Sequence, residues 1–159
     1  MSACSNSGGC QCGAVRFRVT GALGDASICH CRMCQKALGA FYAPLVGQGE
    51  ATLEWTRGLP QRFASSNHAT RLFCEKCGTP LGYYAPDGIG LAIGAFDNPA
   101  SIVPERQWGT EAKLPYIGAL DTLPSSRTEE DMASAPFLAT VISFQHPDHD
   151  TESWPEQRP

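Results

Sequence analysis

The chain has 159 residues, 42% of them hydrophobic, and a formal net charge of −4; it is long enough to bury one core, and its acidity excludes the electrostatic footprint of a nucleic-acid binder. The longest apolar runs, Leu91 to Ala95 and Phe137 to Ile142, are too short to span a bilayer, which predicts a soluble protein with no membrane partner. Met1 to Gly9 is polar and lacks the basic flank and apolar run of a signal peptide, so the eight cysteines are expected in a reducing cytoplasm rather than in a disulfide scaffold.

Cys10-Gln11-Cys12-Gly13 follows two glycines and leads into Ala14 to Thr20, whose alternation of apolar and polar residues predicts a half-buried strand. Gly21 to Asp25 reads as a turn. Ser27-Ile28 then delivers the chain to Cys29-His30-Cys31-Arg32-Met33-Cys34, and Met33 to Leu38 predicts about two turns of helix stopped by Gly39. On a helix begun near Cys31, Cys34 faces the same side three residues on. Phe41 to Val46, Thr52 to Thr56, Gln61 to Ala64 and Thr70 to Phe73 are short β-prone segments parted by Gly, Pro, Asn and Ser. Cys74-Glu75-Lys76-Cys77-Gly78 again sets a glycine directly after a second cysteine, and Pro80 to Ala85 with Gly90 to Ala95, joined through Pro86-Asp87-Gly88, predict a hairpin. Phe96 to Pro124 is irregular, with strands expected near Ile102 and Tyr116. Beyond Ser125, Thr128 to Asp131 caps and starts a short helix, Phe137 to Phe144 is expected as an extra strand, and Gln145 to Pro159 as a loose tail.

Three cysteines within six residues are too close together to be partners of distant disulfides, and they have the right reach to close round one metal ion. Tetrahedral zinc held by three protein ligands keeps its fourth position for water or substrate, whereas a structural site is usually closed by four. Cys29, Cys31 and Cys34 therefore read as an open zinc site, and Cys10, Cys12, Cys74 and Cys77 as a closed structural one. The other division places Cys31 and Cys34 with Cys74 and Cys77 and leaves Cys10, Cys12 and Cys29 open; the first costs less loop closure. Cys4 or His30 is the obvious eighth donor if both sites are closed, and iron also accepts four thiolates.

Gly9-Cys10-Gln11-Cys12-Gly13-Ala14-Val15-Arg16-Phe17, Cys29-His30-Cys31 with Cys34-Gln35-Lys36 and Gly39, and Phe73-Cys74 with Cys77-Gly78-Thr79-Pro80-Leu81 resemble the glutathione-dependent formaldehyde-activating enzyme (GFA, or centromere protein V type) family. Lys113-Leu114-Pro115-Tyr116 and Asp121-Thr122-Leu123-Pro124 are similar to its closing motif, with Tyr116 standing where many members carry tryptophan. The resemblance covers residues 8–124, a GFA-type zinc domain, and leaves 125–159 as a C-terminal extension. It implies a mainly β, Mss4-like fold of short antiparallel strands with one short helix after the Cys29 to Cys34 run, and two zinc ions per chain. Cys10, Cys12, Cys74 and Cys77 would hold the structural zinc, and Cys29, Cys31 and Cys34 the catalytic one. The implied activity is that of a carbon-sulfur lyase condensing formaldehyde with glutathione, so the expected partners are a small thiol and a small aldehyde or their adduct.

A zinc-stabilised protein-interaction module without catalysis, or a redox or metal-handling protein, fits the same cysteines. His30, between two ligands, is expected as scaffold because adjacent side chains point apart, and Cys4 as a free thiol. Lys36, Arg57, Arg62 and Arg71 are candidates to receive the carboxylates of a peptide thiol. Phe41, Trp55, Tyr83 and Tyr84 are expected to fill the core, and His146 and His149 to be solvated in the tail.

Overall fold

The computed structural model describes residues 4–131 and 133–154. Its ten strands, in chain order, are β1 (Ser5–Gly9), β2 (Arg16–Thr20), β3 (Ala26–Cys29), β4 (Ala43–Gly47), β5 (Thr52–Arg57), β6 (Gln61–Ala64), β7 (Thr70–Phe73), β8 (Pro80–Ala85), β9 (Gly88–Ala92) and β10 (Arg106–Trp108). The helices are short: α1 (Arg32–Leu38), α2 (Thr128–Asp131) and several 3-10 turns. The protein is therefore mainly β. Among the described residues no helix is long and apolar enough to cross a membrane.

The strands form two sheets, one of order β1-β2-β5 and one of order β10-β3-β4-β9-β8-β7-β6. All pairings are antiparallel except that of β10 with β3. Period-2 patterning explains the smaller sheet: in β2, Phe17 and Val19 are buried while Arg18 and Thr20 face solvent, and β5 alternates in the same way. Phe17 meets Trp55 and Phe96 edge-on, with ring centroids 5.8 and 5.1 Å apart. Val46, Leu81 and Leu91 of the larger sheet complete the same core. Gly8 lies so close to Ala95 and Phe17 that a Cβ there would sit 2.4 Å from the Ala95 carbonyl oxygen, which is how β1 closes over the core.

Three expectations about the strands and the tail need correction, and two strands are unforeseen. No strand forms near Ile102 or Tyr116; a 3-10 turn precedes Ile102, another spans Ile117–Thr122, and the strand of this region is β10. Strands β1 and β3 are not foreseen in the sequence, because Ser5–Gly9 and Ala26–Cys29 carry little β-prone character and exist through their partners. Phe137 to Phe144 is not a strand: Pro136 starts a 3-10 turn over Pro136–Thr140, and Phe137 and Ile142 stay exposed with no sheet edge to join. The tail is not loose where it is described. His146 is 4% exposed and donates its amide to Gln11 O at 2.7 Å. Asp150 pairs with Arg16 and Arg18 at 2.8 and 2.7 Å. Arg57 donates to Thr151 O, Trp154 Nε1 donates to Cys12 O, and Lys76 Nζ lies 4.1 Å from the Trp154 ring centroid. The expected tail's last five residues, 155–159, and the first three residues of the polar N-terminus lie outside the described residues.

Candidate metal centres

Cys10 and Cys12 follow β1, while Cys74 and Cys77 follow β7, and the two turns have one construction. Gly13 N donates to Cys10 O at 3.0 Å and Gly78 N to Cys74 O at 2.9 Å. Gly13 and Gly78 have φ of 77° and 75°, the left-handed region that a side chain disfavours. The four Sγ atoms lie within 4.8 Å of one another, with Cys10 and Cys12 sulfurs 3.6 Å apart and Cys12 and Cys74 sulfurs 3.8 Å apart. Tetrahedral zinc with bonds of about 2.3 Å places its sulfurs about 3.8 Å apart, so the donor set fits such an ion without rearrangement.

Electrostatics agree with that fit. Burial pushes the Cys10, Cys12 and Cys74 thiols up. Burial also acts on Cys77, but the Thr79 hydroxyl at 3.1 Å and the Thr79 amide outweigh it and bring that thiol down to about 6. Thr79 Oγ1 accepts from Gln11 N at 3.0 Å, which leaves its proton for the Cys77 sulfur. One negative charge forms readily, and three further thiolates need a cation.

The second set lies at a strand-to-helix junction. Cys29 ends β3, Cys31 caps α1 with Sγ accepting from Cys34 N at 3.4 Å, and Cys34 sits in the first turn. The helix thus begins inside the cysteine run rather than after it. Gln35 staples the junction, donating from Nε2 to His30 O at 2.7 Å and to Ala112 O at 3.0 Å. Cys29, Cys31 and Cys34 sulfurs also lie within 4.8 Å of one another. Burial pushes Cys29 up to about 12. Burial acts on Cys31 as well, but the amides of Cys34 and Met33 and the neighbouring thiols outweigh it and lower that thiol.

Each of the two sulfur clusters has the reach to hold a metal ion. Among the described residues no fourth Cys, His, Asp or Glu joins the three-sulfur set. His30 is fully buried, with Nε2 3.0 Å from Gln107 Oε1 and its ring edge-on to Tyr42. Cys4 is exposed and belongs to neither cluster. Cys29 and Cys34 line a cavity of about 430 Å³ together with Arg71, Tyr83, Asp87 and Trp108.

Of the four candidate cations, Arg71 alone reaches a clustered sulfur: its Nη2 donates to Cys34 Sγ at 3.5 Å. Arg57 serves Gly13 O and the tail, and Lys36 and Arg62 are exposed. Trp55 and Tyr83 pack on core clusters as expected, Tyr83 also lining the cavity, but Phe41 and Tyr84 are exposed. His146 is buried against Gly13 rather than solvated, whereas His149 is exposed. Gln35 and Trp108 stand beside the three-sulfur set and are not singled out as site residues in the sequence reading. A glutamine directly after the last cysteine is a weak cue to the first, and nothing local marks the second.

A family model described as glutathione-dependent formaldehyde-activating enzyme matches residues 5–111. A solved protein of Rhodobacter sphaeroides is similar at 21% identity and a TM-score of 0.45, over 64% of this chain and 98% of its own. The family match takes in both turn glycines, Gln35, Arg71 and every clustered cysteine, and it spans well over half of the sequence: the chain belongs to the glutathione-dependent formaldehyde-activating enzyme family.

Proposed function

We propose that the protein is a cytoplasmic, zinc-dependent enzyme of the carbon-sulfur lyase type. It forms or breaks the adduct of a glutathione-like thiol and a small, formaldehyde-like aldehyde. In this reading Cys29, Cys31 and Cys34 hold the catalytic zinc, and Cys10, Cys12, Cys74 and Cys77 the structural one. The observation that carries it is the three-sulfur set, which lacks a fourth donor among the described residues and contributes Cys29 and Cys34 to the wall of a cavity. Zinc held there by Cys29, Cys31 and Cys34 would supply Lewis acidity toward a thiol or a carbonyl placed against it.

The chain's own groups prepare that site. The Cys34 amide favours the thiolate of Cys31, and the Arg71 guanidinium donates to Cys34 Sγ and offsets part of the negative charge three thiolates bring. Gln35 fixes α1 against β3 through His30 O, so that the sulfurs are placed before a ligand arrives. Burial, with Asp87 adding to it, raises the Tyr83 phenol, which keeps its proton as a donor in the cavity wall. When a thiol adds to formaldehyde to give the S-hydroxymethyl adduct, the sulfur-carbon bond forms, the carbonyl π bond breaks and the thiol proton ends on oxygen; the reverse reaction undoes each change. No oxidant or reductant is required.

The test is metal analysis of the purified protein together with exchange NMR of glutathione and formaldehyde. Two zinc ions per chain and adduct exchange faster than the uncatalysed rate are expected, with exchange lost in Cys31→Ser. Two fully loaded zinc sites with no acceleration for glutathione or a panel of small thiols would sink the enzyme reading and favour the interaction module.

A further inference from the structure

Arg71 is 8% exposed, yet among the described residues no carboxylate lies within 4.0 Å of its guanidinium. Its Nε donates to Ser65 Oγ at 3.2 Å, its Nη2 to Cys34 Sγ at 3.5 Å, and its Cζ lies 5.6 Å from the Tyr83 ring centroid. Cys34 Sγ, as a thiolate, is the anionic partner Arg71 has in the metal-binding reading, and these two hydrogen bonds leave most of a five-donor fork without a protein partner among the described residues.

Arg71 lines two cavities. The one at Cys29 and Cys34 also carries Arg106, Asp25 and Asp87, so its charges are mixed. The other, of about 550 Å³, lies between α1 and strands β6, β7 and β8. Among the described residues its charged lining is Arg32, Lys36 and Arg71, with no acidic residue. Its apolar lining includes Met33, Leu38, Phe63, Phe73 and Pro80, and Met33 and Phe63 are 50% and 61% exposed. Large exposed apolar side chains gathered in one concavity with convergent cations are the features of a small-molecule site rather than of a solvated face.

We propose that this second cavity binds a small molecule with an apolar body and a carboxylate. The body packs on Met33, Leu38, Phe63 and Phe73. The carboxylate is received by Arg71, and Arg32 and Lys36 add to the field that draws it in. Such walls select an aryl or alkyl acid over a polar peptide. The site is defined by binding and shares Arg71 with the cavity at Cys29 and Cys34.

Titration calorimetry of the metal-loaded protein with 4-phenylbutyrate, 4-phenylbutanamide and butyrate tests it. The acid is expected to bind about tenfold tighter than its amide, the margin of one charge-assisted hydrogen-bonded pair, and about tenfold tighter than butyrate, which lacks the ring. Arg71→Gln should bring acid and amide close to equal affinity, leaving only the field of Arg32 and Lys36, while Phe63→Ala, a change at an exposed side chain, should weaken both and keep their ratio. Amide chemical-shift mapping on the unaltered protein covers the case in which Arg71→Gln does not fold: phenylbutyrate should perturb Met33, Leu38 and Phe63. Equal affinity for acid and amide in the unaltered protein, or perturbations confined to residues outside the cavity, would overturn the proposal. Acid selectivity in a protein that exchanges no adduct would leave this site standing and remove the enzyme reading alone.

Discussion

The two sulfur clusters share a ligand type and differ in donor number and in what lies against them, although each gives sulfurs to a cavity wall, Cys10 and Cys77 to one and Cys29 and Cys34 to another. Around Cys10, Cys12, Cys74 and Cys77, two turns of the same build face each other and residues 146–154 lie across them, with His146 against Gly13 and Trp154 on Cys12 O. Around Cys29, Cys31 and Cys34, one strand end and one helix start supply every sulfur, and a cavity with a buried guanidinium adjoins them. What surrounds the sulfurs differs more than the sulfurs do, and that difference underlies assigning scaffold work to one set and exchange to the other.

The sharpest way to break the comparison is to remove one ligand from each set. Cys74→Ser should unfold the protein, because a structural zinc site contributes on the order of 10 kcal/mol against a total stability of about 5–15 kcal/mol; loss of the far-UV dichroism transition would register it. Cys31→Ser should keep a cooperative melt, release one zinc and abolish adduct exchange. Equal unfolding by both would erase the distinction.

Next in size is the ion pair that ties the tail to the smaller sheet. Arg16 is 3% exposed and its guanidinium bridges Asp97 at 2.6 Å and Asp150 at 2.8 Å. Arg16→Gln leaves the largely buried Asp97 without its cation and should cost about 3–5 kcal/mol, read as a lowered denaturation midpoint. The same pair sets an acid limit. Burial raises the Asp97 carboxyl, but Arg16 and Ser7 outweigh it and hold it below its ordinary value, and Arg16 and Arg18 do the same for Asp150. A depressed carboxylate contributes stability that is fully present above the unfolded pKa, about 3.9, and lost as pH falls through the lower folded pKa. Melting temperature should therefore fall from about pH 5 toward pH 2, and less steeply in Arg16→Gln.

The two turn glycines sharpen the contrast further. Gly78→Ala meets no atom within 4 Å and should cost only the left-handed backbone penalty, about 1–2 kcal/mol. Gly13→Ala would put its Cβ 2.1 Å from His146 Cδ2, so it should cost about 1–3 kcal/mol more. Equal losses would show that the tail does not press on this turn. Smallest is deletion of residues 145–159, expected to lower the melting temperature by a few degrees and to speed chelator-driven zinc loss from the four-sulfur set several-fold while sparing the other.

Strands β6 and β7 are legible to the residue, and β5 to within one, because Gly, Pro and Ser bound short segments of β-prone residues there. The start of α1 is legible because Cys31 caps it and Cys34 follows at helical spacing. Strand β1 is not, since Ser5–Gly9 becomes a strand only when β2 lies beside it. Nor is β10, which pairs with β3 in parallel across a long connection. The tail misleads for a related reason: its charges and prolines suit disorder until Arg16, Arg18 and Arg57 stand opposite Asp150 and Thr151.

By itself the sequence determined the donor chemistry: thiols in three closely spaced runs, and the glycine that each paired turn requires. Chelation by near neighbours and turn geometry are local, so they are written in consecutive residues. Only the tertiary structure decided that Cys12 meets Cys74 across 62 positions, that the tail packs on the turns of that cluster, and that Arg71 reaches Cys34 while lining an apolar cavity. Those outcomes depend on which distant surfaces pack together, and loop closure of that length leaves no trace in local spacing.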